Sequence, residues 1–392
     1  MTAPTHRIDP PPAFLADPAL RAVLAALPHA RLVGGCVRDA LLGRPVHDLD
    51  LATPDPPEAV MAALREAGLK AVPTGLAHGT VTAVSDHRGF EVTTLRRDIA
   101  TDGRHAVVAF TDDWREDAAR RDFTINAMSM TSDGTVVDHF GGLADLEAGR
   151  VRFVGIAAER IAEDYLRVLR FFRFHARYAS GPPDAEALAV IRAAVPGLAR
   201  LSAERVWSEL KRILTGPDPA GTVALMRATG VLAAVLPEAG DGAVLRAIVA
   251  AGAPDDPALH LAALIEGDGT QAAARLKLSG AEAARLVALR AAICPPDSAD
   301  DDTLRRALAD TPKPVLIGAS WLAGRSDALR VRLLAMSVPV FPLAGRDLVA
   351  RGVSPGPAMG EVLRSLRAWW LAGGCRADAA ACRAELARRI GG

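Results

Sequence analysis

The chain has 392 residues, 50% of them apolar, and its 46 basic and 46 acidic side chains leave a formal net charge of zero. That length buries several small cores and predicts two to four domains, while the neutral balance by itself gives no sign of a nucleic-acid partner. No apolar run approaches about 18 residues and no basic segment precedes an apolar core, so neither a membrane span nor a secretion leader is expected.

A Pro-rich lead containing Pro10, Pro11 and Pro12 precedes the first informative stretch, LVGGCVRDALLGRPVHDLDLAT over residues 32–53. Leu32 and Val33 read as the end of a buried strand, Gly34 and Gly35 as a turn whose backbone can approach a ligand, and residues 36–42 as a short helix. A helix start offers unbonded N–H groups to an anion, and Arg38 adds a fixed positive charge. Residues 47–52 read as a second strand, on which Asp48 and Asp50 point to the same face. At about 3.3 Å rise per residue their Cα atoms lie roughly 6–7 Å apart, so both carboxylates reach one metal ion or a close pair. Singly, a Gly-Gly pair is a turn and an Asp-x-Asp a solvated strand edge. Together they can hold a metal-bound nucleoside triphosphate.

The spacing GGxVRDxLLGxxxxDxDxxT resembles, at every defined position, the signature of the nucleotidyltransferases that include tRNA CCA-adding enzymes and bacterial poly(A) polymerases. The resemblance implies an α/β nucleotidyltransferase head, a polymerase-beta-like mixed sheet with helices, followed by an all-α neck, body and tail. It also implies Asp48 and Asp50 as catalytic ligands of Mg²⁺, and Gly35 and Arg38 as nucleotide-binding residues.

Further along, β-rich runs at residues 79–85, 89–96, 105–110 and 135–140 alternate with turn clusters, whereas after about residue 155 nearly everything is Ala/Leu/Arg-rich with helical period. The chain therefore divides into a lead (1–28), a catalytic head (29–154), a helical neck (155–240), and a helical body and tail (241–392). In FEVTTL, Glu91 and Thr93 share one strand face. An inward Glu91 would complete a metal site or take the proton of an attacking hydroxyl; an edge-strand Glu91 would sit in water. Related enzymes carry an acid on the corresponding strand, which gives Glu91 a supporting catalytic role by resemblance.

In RRDFTINAMSM, residues 120–130, the polar Arg121, Asp122, Thr124 and Asn126 are embedded among apolar neighbours and need partners. A capped helix start would satisfy one of them. RRDFTINA resembles the family's second signature, which implies Arg121 on the triphosphate, with Asp122 and Asn126 ordering the sugar and the local turn.

ERIAEDYLRVLRFFRFHARY, residues 159–178, reads as one helix that buries Ile161, Leu166, Leu169, Phe172 and Phe174. Asp164 and Arg167 at i, i+3 form an ordinary surface ion pair on periodicity alone. EDxxRxLRxxRF, however, resembles the family's nucleobase-selecting segment. Cytosine and adenine each place an amine donor beside a ring-nitrogen acceptor. Asp164 can accept from the amine and Arg167 can donate to the ring nitrogen, whereas uracil and guanine would set an oxygen acceptor against the carboxylate. By the same resemblance Arg170 and Arg173 approach the triphosphate or brace Asp164, and Glu163 positions Arg167.

Poly(A) polymerases typically carry a basic run before the third strand, where this chain has PTGLAHGTV, residues 73–81, which resembles the CCA-adding type. RRDIATDGR, residues 96–104, resembles the flexible element used to move from C to A addition, and equally reads as a plain surface connection. The segment at residues 201–238 resembles the neck continuation. From Gly345 onward eight arginines face four acids, and a segment in which a PGP turn is followed by a helix resembles C-terminal parts of these enzymes and offers Arg351, Arg364 and Arg367 to tRNA phosphate or to solvent. The only His-Asp dipeptide is His47-Asp48, so no phosphohydrolase activity is expected. Cys36, Cys294, Cys375 and Cys382 show no CxxC spacing, which indicates neither a zinc site nor a disulfide framework and fits a cytoplasmic protein. The sequence thus points to addition of C, C and A to the tRNA 3′ end from CTP and ATP. A poly(A) polymerase acting on generic RNA and an inactive tRNA-binding protein are the alternatives, and oligomeric state is not legible.

Overall fold

Val81, Ala83 and Ser85 are buried while Thr80, Thr82 and Val84 are half-buried, the period-two pattern of a strand packed on one face. Such strands build the sheet of the first of two units, Met1–Val235, the second being Leu236–Gly392. The computed structural model describes residues 4–101 and 106–390. The strands are β1 (Thr5–Arg7), β2 (Arg31–Val33), β3 (Leu51–Thr53), β4 (Lys70–Gly75), β5 (Thr80–Ser85), β6 (Arg88–Thr94), β7 (Arg96–Thr101), β8 (Ala106–Phe110), β9 (Met128–Met130) and β10 (Thr135–Asp138). Eight of them form one sheet in the order β1-β10-β9-β2-β3-β6-β5-β4. Only β3 with β6 is parallel, so the sheet is mixed. β7 and β8 pair separately and antiparallel. Residues 96–101 of the RRDIATDGR segment are therefore a paired strand, and residues 102–104 lie outside the described residues.

Within the first unit the helices are α1 (Pro18–Ala26), α2 (Gly35–Leu41), α3 (Pro57–Glu66), α4 (Trp114–Ala119), α5 (Gly142–Glu147), α6 (Ala157–Glu163), α7 (Leu166–Tyr178), α8 (Ala185–Ala194), α9 (Ala203–Leu214), α10 (Pro219–Ala228) and α11 (Val231–Val235). Asp17 caps α1 by accepting from the Ala19 N–H at 2.9 Å, and the helix buries Leu20, Val23 and Leu24. α1 and α3 pack beside β5, whereas α2 packs on β2 and β9.

Two elements differ from the sequence expectation, each for a local reason. Residues 47–50 are not strand, because Gly34 (φ 73°) turns the partner strand away; the Val33 N–H to Asp50 carbonyl bond, 3.0 Å, is the last one available to them. Asp48 and Asp50 therefore stand on the irregular lead into β3 rather than on one strand face. The expected single helix over residues 159–178 is broken at Asp164, which is extended (φ −154°, ψ 104°) and accepts from the Leu166 N–H at 3.1 Å. A short acidic side chain bonding backbone two residues on competes with helix and starts a new one.

The second unit contains ten helices among the described residues, from α12 (Ala243–Ala250) to α21 (Ala379–Ile390). One of its cores gathers Leu304, Leu308, Leu316, Leu329 and Leu333, and another Leu348, Leu366, Trp370, Cys382 and Leu386. Among the described residues no helix is long and apolar enough to cross a membrane.

α7 is fixed to the sheet-bearing part of the first unit by aromatic packing. Phe123 lies 5.1 Å from Phe153 and 5.0 Å from Phe174 between ring centroids, and Phe153 stacks on the fully buried Phe171 at 5.7 Å. Phe171→Ala removes the centre of this cluster and should cost about 3–5 kcal/mol. Denaturant titration followed by far-UV circular dichroism reads this as an earlier first transition, and an unchanged midpoint would contradict the role given to the cluster.

Candidate active site

A cleft of about 560 Å³ is lined by the Gly34–Gly35 turn, Asn126, Leu166 and Phe174, and by seven arginines (Arg38, Arg121, Arg167, Arg170, Arg173, Arg205, Arg212) against three acids (Asp50, Asp122, Asp164). Such an excess of fixed cations suits a polyphosphate. Gly34 is required twice, by its positive φ and because a Cβ there would stand 3.0 Å from Arg121 Nη1. The missing side chain lets the Arg121 guanidinium lie against the turn. Its Nη2 donates to Asp117 at 3.2 Å and its Nη1 to the Asn126 carbonyl at 3.4 Å. Burial pushes the Asp117 carboxyl up, but Arg120 and Arg121 beside it outweigh that and hold it below the usual range. Asp117 thus stays charged and anchors both arginines.

Arg38 lines the cleft with most of its guanidinium already engaged. Nε and Nη2 donate to Asp39 at 3.0 and 2.8 Å, Nη1 donates to Asn126 Oδ1 at 2.5 Å, and the group lies 4.1 Å over the Tyr178 ring. Asn126 in turn donates to Asp122 Oδ1 at 3.0 Å, and Asp122 Oδ2 accepts from Arg170 Nε and Nη2, each at 2.6 Å. The Tyr178 hydroxyl donates to Asp39 at 3.2 Å. This closes a ring of polar contacts that runs from α2 through the RDFTIN turn to α7 and back. Thr124 takes no part, because its hydroxyl donates to Asp145 at 2.6 Å.

Asp164 and Arg167 both line the cleft; the Arg167 N–H donates to the Asp164 carbonyl at 3.0 Å, but each side chain is paired elsewhere. Asp164 Oδ2 accepts from Arg205 at 2.6 Å. Arg167 donates through Nη1 to Glu163 at 2.6 Å and the Arg160 carbonyl at 2.9 Å, and through Nη2 to the Arg120 carbonyl at 2.9 Å. These three bonds orient a guanidinium that has five N–H donors, so two remain for a ligand. Arg173 pairs with the buried Glu209 at 2.7 Å, while Arg170 pairs with Asp122 and not with Asp164. Gly35 lies on the turn, 3.5 Å in Cβ terms from Arg38 Nη2.

The acids gather in a second cleft of about 540 Å³, lined by His47, Asp48, Leu49, Asp50, Arg88, Gly89, Phe90 and Glu91. The parallel register that sets Leu51 beside Val92 brings Asp50 next to Glu91. Asp48, Asp50 and Glu91 are all solvent-exposed. Desolvation by neighbouring protein pushes the Asp50 carboxyl up, Glu91 and Asp48 push the same way, and Arg121 opposes them. Asp50 alone belongs to both clefts.

Sequence reasoning passed over Asp39, Asp117, Tyr178, Arg205, Glu209 and Arg212, which hold or line the first cleft. Asp39 had a signal, since it sits inside the quoted motif beside Arg38. Asp117 and Arg212 also had local signals, Asp117 three and four positions before Arg120 and Arg121 and Arg212 three after Glu209, whereas Tyr178, Arg205 and Glu209 find their cleft partners 139, 41 and 36 positions away.

Residues 30–152 match the family model described as "Poly A polymerase head domain", and residues 183–241 the one described as "Probable RNA and SrmB- binding site of polymerase A". The chain is 38% identical over 359 residues to the mitochondrial CCA tRNA nucleotidyltransferase 1 of Danio rerio, covering 87% of this chain and 83% of that protein. It is 37% identical over 248 residues to the CCA-adding enzyme of Lactiplantibacillus plantarum, covering 63% of this chain and 58% of that one. Among solved structures, the Bacillus stearothermophilus CCA-adding enzyme in complex with CTP superposes with a TM-score of 0.77 at 28% identity, over 95% of this chain and 98% of the other. The mixed sheet, the helices that follow it and these likenesses agree: the chain belongs to the family of tRNA CCA-adding nucleotidyltransferases built on the poly(A) polymerase head.

Proposed function

We propose that the chain adds C, C and A in turn to the 3′ end of tRNA, taking CTP and ATP without a nucleic-acid template and releasing pyrophosphate. The observation that carries this reading is the meeting of Asp50, Arg121, Asp164 and Arg167 on one cleft. The relatives matched over most of both chains carry the CCA-adding name, which favours it over poly(A) synthesis. The thiols of Cys36, Cys294, Cys375 and Cys382 are free, which supports a cytoplasmic, reducing location.

The triphosphate lies against Arg121 and the Gly34–Gly35 turn, with Arg170 and Arg173 adding charge from α7. Arg38, Asp122 and Asn126 hold the turn and α7 in register through the polar ring rather than by gripping phosphate alone. Asp164 accepts from the exocyclic amine of cytosine or adenine, and Arg167, held by Glu163, donates to the adjacent ring nitrogen. A base with an oxygen in place of the amine would face the carboxylate acceptor to acceptor. A site built on paired hydrogen bonds rejects such a base strongly.

Nucleotidyl transfer in this family is metal-dependent, and we assign the ion as Mg²⁺ held by Asp48 and Asp50. The mutual repulsion of Asp48, Asp50 and Glu91 is a cluster of negative charge that a divalent cation would relieve. Mg²⁺ commonly binds through one or two carboxylates and completes its shell with substrate phosphates and water, a demand that Asp48 and Asp50 would meet. When bound, the metal lowers the pKa of the attacking 3′-hydroxyl and neutralises the triphosphate. Glu91, beside Asp50, supports that charge or takes the hydroxyl proton.

Asp48→Ala and Asp50→Ala should each lower incorporation of labelled CTP and ATP into tRNA lacking its CCA end by at least about 10²-fold, with tRNA binding in a gel-shift assay retained. Wild-type rates in the double variant would defeat the carboxylate assignment. Wild-type protein that extends generic RNA with A and adds no C would instead favour poly(A) synthesis. Asp164→Ala should raise UTP and GTP incorporation relative to CTP and ATP by roughly 10- to 100-fold, and unchanged selectivity would defeat the base-reading role.

A further inference from the structure

The two clefts divide the charge between them and meet at Asp50. In a phosphoryl-type displacement the attacking and leaving oxygens stand in line on opposite sides of the phosphorus. With the triphosphate in the arginine-lined cleft, as proposed above, the attacking hydroxyl reaches Asp50 from the acidic cleft. The nucleotide that brings this hydroxyl carries a phosphodiester on its 5′ side. That anion enters a space lined by Asp48 and Glu91, which repel it. Arg88 is the one arginine lining this cleft among the described residues.

Arg88 is placed to take such a group. Its side chain is 50% exposed, lies 5.3 Å over the Phe90 ring and is ion-paired with Asp17. Asp17 divides its two oxygens: Oδ1 accepts from the Ala19 N–H and caps α1, and Oδ2 takes Arg88. The carboxylate can therefore release Arg88 without uncapping its helix.

We propose that the acidic cleft is the seat of the RNA acceptor end, that Arg88 binds the phosphodiester of the 3′-terminal nucleotide, and that Asp17 holds Arg88 ready by occupying it in the free protein. This rests on the first cleft being the nucleotide site. The test measures two quantities for full-length wild type, Arg88→Ala, Arg88→Lys and Asp17→Asn, using tRNA that lacks its CCA end. One is the Kd for that tRNA by fluorescence anisotropy at several salt concentrations, and the other is steady-state CTP incorporation with either substrate varied. Arg88→Ala should weaken tRNA binding and raise its KM by about 10-fold, and reduce the slope of log Kd against log salt by about 0.7, the value for one phosphate on a single strand. KM for CTP and kcat at saturating tRNA should stay within about twofold of wild type. Arg88→Lys should keep the salt slope, and Asp17→Asn, which retains the cap, should tighten tRNA binding. An unchanged slope in Arg88→Ala, or a raised KM for CTP in place of tRNA, would overturn the assignment. A wild type that binds tRNA with the expected Arg88 dependence yet incorporates no CTP would sink the nucleotide-site reading and leave Arg88 standing.

Discussion

A buried guanidinium has to be paired, and the pairing of Arg38 ties the first cleft together. Its three bonds to Asp39 and Asn126 start a chain that continues through Asp122 to Arg170 and returns through Tyr178. Removing any one member would leave a charged or polar group unsatisfied, which costs more than the bond itself contributes. The same logic explains how seven arginines share one cleft without driving it open. Arg121 has Asp117, Arg167 has Glu163, Arg173 has Glu209 and Arg205 has Asp164. Each carboxylate fixes the direction of its arginine before any ligand arrives, and orientation fixed in advance is the main protein contribution to transfer of a phosphate group.

In the function proposed above, that arrangement separates two tasks along one nucleotide. Asp164 lies in the break between α6 and α7, held by a backbone N–H and by Arg205, so its carboxylate is positioned by two elements at once. Arg167 sits one turn further on, locked by two backbone carbonyls and Glu163. In the role proposed for it, a base reader held in this way resists swinging to meet an inverted donor pattern, which would let a protein pair stand in for a template. In the same proposal phosphate is met by groups on α2, the RDFTIN turn and the later turns of α7. The polar ring and the phenylalanine cluster keep those turns at a constant distance from the reader.

What the sequence made legible was whatever depended on neighbours in the chain. The Gly34 turn, the helix after it, the β-rich head and the helical remainder all follow from local pattern, and three separate motifs brought forward Asp48 and Asp50, Arg121, and Asp164 and Arg167. What it hid was settled by distant partners. Residues 47–50 look like a strand, but a strand needs a neighbour, and Gly34 removes it. Residues 159–178 look like one helix, but Asp164 bonds to the Leu166 N–H and to Arg205, 41 positions later, and the helix restarts. Tyr178 reaches Asp39 across 139 positions, a contact no periodicity encodes.

The chemistry at the junction of the clefts depends on keeping unlike charges apart. Arg121 lies close enough to Asp50 to favour its ionised form, while Glu91 and Asp48 oppose it. Asp50 thus stands between a positive cleft and a negative one, which in the proposed function would draw in the triphosphate and collect the cation and the hydroxyl respectively. Cys36, directly behind it, cannot compete for either role. Its Sγ donates to the Val33 carbonyl at 3.2 Å, and burial together with the Asp50 charge pushes the thiol up to about 11, so it remains protonated at neutral pH. The thiol beside Asp50 is thus silenced first by burial and then by the Asp50 charge, and in the reaction proposed above the oxygen that attacks the α-phosphate is the one the RNA brings.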